Sequence, residues 1–120
     1  MDLTSAHLRY LLTIYQLSQA QPEVRSASVA EALGVSRPSV ARMLAILSEK
    51  ELVTKEHYGR IALTGRGVAL ARQQMEYVRC LALRLSALGL DLTAQEAEEA
   101  ALALVEVLPS RCRELLLKYQ

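Results

Sequence analysis

The stretch Ser28-Val29-Ala30-Glu31-Ala32-Leu33-Gly34-Val35-Ser36-Arg37-Pro38-Ser39-Val40-Ala41-Arg42-Met43-Leu44 decides the fold. It reads as a helix-turn-helix. A short helix ends at Gly34, which can take the left-handed backbone angles of a helix terminus. Ser36 is placed to cap the free N–H groups of the next helix. Pro38 sits in that helix's first turn, where a missing N–H costs nothing. Ala30, Leu33, Val35, Val40 and Leu44 are spaced to lock the two helices together. Ser39 and Arg42 fall outside that apolar set, on the face that enters the major groove of duplex DNA in such motifs.

Working outward, the chain predicts a first helix from Thr4 or Ser5 to about Ala20, with Leu8, Leu11, Leu12 and Tyr15 on its apolar face. Gln21-Pro22-Glu23 breaks it. The motif helices are expected at 26–33 and 37–50. Two β-prone runs then flank a Tyr58-Gly59 turn within 52–63, which reads as a hairpin. A hairpin placed directly after a recognition helix is the wing of a winged helix. Thr64-Gly65-Arg66-Gly67 opens a long helix to about Leu88-Gly89, striped by Val68, Ala71, Met75, Val78, Ala82, Leu85 and Leu88. Thr93, with Glu96 at the capping-box position, starts a further helix to about Leu108. From Ala100 onward that helix is apolar around most of its girth. Pro109 ends it, and Ser110 is expected to cap a last short helix to Tyr119. The fold class is therefore mainly α: a winged helix-turn-helix (three helices and a β-hairpin wing) over 1–66, followed by a helical dimerisation domain over 67–120.

Composition agrees. The 120 residues include no Trp and no Phe, and just over half are apolar, which suits helices packed by aliphatic side chains. The net charge is only +1, but it is unevenly spread. Residues 1–72 hold nine Lys/Arg against six Asp/Glu, whereas 73–120 hold five against seven. The positive surplus lies with the helix-turn-helix, as a phosphate-binding surface needs. Cys80 and Cys112 form no paired metal motif. No positively charged leader precedes an apolar run, and no run approaches the ~20 residues that span a bilayer. A cytoplasmic protein with no membrane partner is expected. With two His, neither beside a plausible nucleophile, and no glycine-rich phosphate loop, an enzyme is not expected.

The best base-reading candidates are Arg42, able to bond two acceptors on guanine, and Ser39. Ser36, Arg37 and Pro38 open the same helix, and Arg37 is placed for a phosphate. Lys55, His57 and Arg60 on the wing are candidates for phosphate or the minor groove. Arg25, Ser26 and Ser28 could hold phosphate at the start of the first motif helix. Each of these side chains has an ordinary alternative as a solvated surface residue. Tyr77 and Tyr119 are expected to pack with their hydroxyls at the surface.

With wing and C-terminal helices in view, the chain resembles the diphtheria toxin repressor and manganese transport regulator family of iron- and manganese-dependent repressors. The matching pieces are Tyr10-Leu11-Leu12-Thr13-Ile14-Tyr15, the run from Val29 to Ser36, Pro38-Ser39-Val40, Glu51-Leu52-Val53, Leu63-Thr64-Gly65-Arg66-Gly67 and Leu88-Gly89-Leu90-Asp91. The length is that of the manganese-type members with two domains. The resemblance implies a homodimeric repressor of double-stranded DNA, switched by a bound divalent manganese or iron ion.

This chain departs from the family at the metal. Aligned through Tyr15, the places of the first helix's Asp and Glu hold Arg9 and Leu12. Counted from Gly67, the place of the long helix's His holds Val78. The stretch 101–107, where carboxylates and a His are expected, holds only Glu106. A cation and aliphatic side chains cannot replace oxygen and imidazole ligands. The usual metal switch reads as lost, so no cofactor is expected. Arg9 could instead pair with Glu106, or with Glu76, as a substitute for the metal. Other readings stay open. One is a rearranged metal site drawn from His7, Glu76, Cys80, Glu106 and Cys112. Another is a regulator switched by a small organic ligand, and a third is a dimeric interaction module that keeps the winged helix only as scaffold.

Overall fold

The computed structural model describes residues 3–118. They form two units, one up to Ala71 and one from Arg72.

In the first unit, α1 (Ser5–Ala20) begins with a reciprocal cap. The His7 N–H donates to Thr4 Oγ1, and the Thr4 N–H donates to His7 Nδ1, each at 3.1 Å. Leu8, Tyr10, Leu11, Leu12 and Ile14 are buried. Tyr15, expected on the buried face, is only half-buried, and Ile14 lies inside instead. A two-residue strand, β1 (Val24–Arg25), leads into α2 (Ser26–Leu33). Gly34 ends α2 at φ 67°, ψ 36°, and the next N–H, of Val35, donates to Ala30. Ser36 then caps α3 (Arg37–Glu49), accepting the Ser39 N–H at 3.2 Å, with Pro38 in the first turn.

Ala30, Val40 and Leu44 are buried and join α2 to α3 with Leu47, while Leu33 is half-buried. Val35 was expected in this set but is exposed, because the left-handed turn at Gly34 carries it outward. Each fully buried Leu or Val of this core contributes roughly 1.5–3 kcal/mol of transfer free energy.

The wing consists of β2 (Val53–Lys55), a single 3-10 turn over His57–Gly59, and β3 (Arg60–Leu63). The sheet is antiparallel with β3 in the middle, in the order β1-β3-β2. Val24 faces Ile61 and Arg25 faces Arg60 on one side, and Val53 faces Leu63 on the other. The hairpin was legible; its third strand was not. Next comes α4 (Gly65–Ser86), whose first two turns belong to this unit.

The second unit contains the rest of α4, then α5 (Ala94–Val107) and α6 (Ser110–Lys118). Its core joins Tyr77, Val78 and Cys80 on α4 to Ala101 and Val105 on α5 and Leu116 on α6. Tyr77 packs into this core and is only 5% exposed. It lies on the same face of α4 as Val78 and Cys80, which the single-stripe reading of this helix missed. Tyr119 lies outside the described residues. Thr93 and Glu96 form the expected capping box. Ser110 is the first residue of α6 rather than its cap. It accepts from Arg113, whose guanidinium also donates to the carbonyls of Val105 and Leu108 and so closes the C-terminal end of α5. Among the described residues no helix is long and apolar enough to cross a membrane.

Candidate nucleic-acid interface

On α3 the outward residues form a linked row. Ser36 Oγ donates to Ser39 Oγ at 2.9 Å, and Arg42 Nη2 donates to the same Ser39 oxygen at 3.1 Å. The three residues are spaced by three, so they climb one helix face. Ser36, Arg37, Pro38 and Arg42 are exposed and Ser39 is half-buried. Behind them Val40, Leu44 and Leu47 are fully buried, which fixes the rotation of the helix. An arginine held by a neighbouring hydroxyl loses less conformational freedom when it bonds a base edge.

The wing carries Lys55 and His57 as exposed cations or potential cations. Arg60 is half-buried and is paired: Glu23 holds it at 3.5 Å and holds Arg25 at 3.0 Å. Arg25 Nη1 also donates to the Tyr58 carbonyl. Arg25, proposed from sequence for phosphate, is thus built into the wing. Ser28 accepts a hydrogen bond from Gln21 Nε2 at 3.4 Å, and Ser26 is half-buried in the first turn of α2. Sequence reasoning missed Glu23 as the shared partner, because only the two-residue strand brings positions 23–25 beside 58–60. It also passed over Tyr58, whose side chain is 87% exposed at φ 63°.

The residues considered for a metal do not form a site. His7 spends its Nδ1 on the α1 cap. Its pKa is lowered by burial and, secondarily, by the charge of Lys50. Glu76 is paired with Arg79 one turn along α4. Cys80 lies in the apolar core of the second unit and Cys112 is half-buried on α6. Arg9 is exposed on α1 and Glu106 is half-buried on α5, and both side chains take part in interactions. Among the described residues no three His, Cys, Asp or Glu side chains converge as metal ligands would. The positions that stand where the family puts ligands are Arg9, Leu12 and Val78; the last two are only 1% exposed, inside apolar cores.

Comparison with known proteins follows the same lines. The family described as "Iron dependent repressor, N-terminal DNA binding domain" matches residues 2–61, half of the chain. The solved structure of the manganese regulator SloR is 29% identical with a TM-score of 0.72, over 99% of this chain and 54% of that one. A hypothetical protein, SSo2273 from Sulfolobus solfataricus, is 24% identical with a TM-score of 0.68, over 98% of this chain and 88% of that one. IdeR of T. acidophilum shares the fold at 19% identity and a TM-score of 0.77, covering 98% of this chain and 54% of its own. The chain thus spans about half the length of SloR and IdeR. No curated protein sequence matches it. The match over half of the chain, together with the three-helix unit and its wing, places this chain in the iron-dependent repressor family, metal-dependent transcriptional repressors with an N-terminal DNA-binding domain.

Proposed function

We propose that this protein is a homodimeric repressor that reads paired half-sites by laying α3 of each copy in successive major grooves. The observation that carries the reading is the Ser36–Ser39–Arg42 row on the outer face of α3. Arg42 would read a guanine and Ser39 a base edge or phosphate. Arg37, Lys55 and His57 would hold the backbone, with Arg60 contributing from its pair with Glu23.

Association of two copies is supported by apolar surface on the second unit. Leu83 is 70% exposed and Val107 62%, on α4 and α5. A groove of about 330 Å³ between those helices is lined by Met75, Val78, Ala82, Leu83 and Ala97. Surfaces of this kind commonly mark an interface. The operation we propose is constitutive with respect to the family's metal. A guanidinium at Arg9 repels a dication, and Leu12 and Val78 offer it no lone pair.

The test is selection of binding sequences from a random duplex pool, with and without manganese, iron or zinc. Wild type should enrich a pseudo-palindrome equally in both arms, and Arg42→Ala should lose the sequence preference while keeping salt-sensitive binding. A variant that enriches the same site as wild type overturns the assignment of α3. A metal-dependent enrichment overturns the constitutive reading and favours a rearranged site.

A further inference from the structure

The tip of the wing holds a highly exposed aromatic side chain in an unusual way. Tyr58 has φ 63° and ψ 29°, a left-handed conformation that suits Gly or Asn far better than a bulky aromatic residue. The turn itself therefore gives no reason for a tyrosine. Burial gives none either, since the side chain is 87% exposed. The His57 ring is tilted at 57° with its centroid 6.4 Å away, so it does not cover the Tyr58 ring.

The backbone behind this side chain is held firmly. Arg25 donates to the Tyr58 carbonyl, and Glu23 grips both Arg25 and Arg60. The Glu56 N–H donates to the Arg60 carbonyl at 2.7 Å, closing the hairpin immediately below the tip. Lys55 ends β2 just before the tip, and His57 adjoins Tyr58 in the turn. A rigid base, a strained tip, an uncovered amphipathic ring and adjacent cations together describe a probe for a surface that is both flat and anionic. The sugar–phosphate backbone of DNA is such a surface: it offers deoxyribose to the ring face and phosphate oxygens to the hydroxyl and the cations.

We propose that Tyr58 is a DNA-contacting residue, its ring packed on the sugar–phosphate backbone beside the half-site that α3 reads. This rests on the repressor reading above. The contact is indifferent to base sequence, so it adds affinity without adding selectivity. The turn geometry that raises the energy of the free protein is retained because it aims the ring outward.

The chain contains no Trp, which makes the test direct. Tyr58→Trp places a single indole at the tip, in the full-length protein. Titration with the random-sequence duplex pool should quench or shift its emission saturably, with the same midpoint as binding measured by anisotropy of labelled duplex. Tyr58→Ala should bind the pool and the selected site more weakly by a similar factor, on the order of tenfold, with an unchanged salt slope. Tyr58→Phe, which keeps the ring, should bind within about twofold of wild type. All three changes lie on an exposed side chain, so folding is checked simply by equal circular dichroism. If wild type binds duplex while the indole emission stays flat and Tyr58→Ala binds as tightly, the tyrosine assignment is overturned and the repressor reading stands. If wild type binds no duplex at all, both fall.

Discussion

His7 does at the start of α1 the work usually given to a glutamate or glutamine. Its Nδ1 accepts the Thr4 N–H, so the ring must be neutral there, and the proton must sit on Nε2. Burial and Lys50 both lower its pKa below the ordinary 6.5. A positive ring would also meet the positive end of the helix dipole. The sign follows directly. The unfolded chain binds a proton more readily than the folded one, so the cap's contribution is complete above pH 6.5. It is lost as pH falls below that value through the lower folded-state pKa. The side chain is largely solvated, so the effect is small, roughly a few tenths of a kcal/mol. His7→Gln keeps an acceptor at the same place. Urea melts of the two proteins should agree at about pH 7.5 and diverge below about pH 6, wild type losing more stability. Equal losses would remove the cap from the explanation.

At the scale of elements, the joint between the wing and α4 leaves no room for a side chain at Gly67. A Cβ added at Gly67 would lie 2.1 Å from the Leu52 carbonyl oxygen. That oxygen already accepts the Thr64 N–H at 3.0 Å, so it cannot simply move aside. Thr64 Oγ1 donates to the Glu51 carbonyl and accepts the Gly67 N–H, which completes the knot. Gly67→Ala should cost about 3 kcal/mol by overpacking. Gly34→Ala should cost only about 1 kcal/mol, because its added methyl meets open space and pays only for the left-handed backbone. Chemical denaturation of both variants checks the order.

The helices were legible because each carried its own punctuation. Ser36 and Thr93 cap as read, and Gly34 and Pro109 stop as read. What stayed hidden depended on partners distant in sequence. A two-residue strand has no periodicity to detect, so β1 appeared only through its pairing with β3. For the same reason Arg25 and Arg60 read as available cations, although Glu23 holds both. The packing partners of Tyr77, Val105 and Leu116, lie roughly thirty and forty residues away, so no local pattern names them. Of the candidate interface, the outward placing of Arg42 on α3 could be read from spacing alone. The orientation of Tyr58 depends on a backbone angle that no composition rule supplies.

At the scale of the whole molecule, a single helix-turn-helix with a modest positive surplus would hold DNA weakly, so our reading requires two copies. The apolar residues left outside on α4 and α5 are the means we assign to that pairing. The double variant Leu83→Glu with Val107→Glu alters two exposed side chains and leaves the core of the second unit intact. Sedimentation should show wild type as a dimer at micromolar concentration and the variant as a monomer. Loss of the paired half-site should weaken operator binding by on the order of a hundredfold or more. A wild-type chain that sediments as a monomer, with or without duplex, would end the paired reading.

The single carboxylate of Glu23 pairs with two guanidinium groups at the base of the wing and offsets one of their two charges. Fewer cations are thus left to displace the ion atmosphere around a duplex than a count of arginines suggests. On the repressor reading we propose, the protein is correspondingly easier to wash off bulk chromosome, and occupancy rests more on what α3 recognises than on charge, as a regulator confronted by a vast excess of wrong addresses requires.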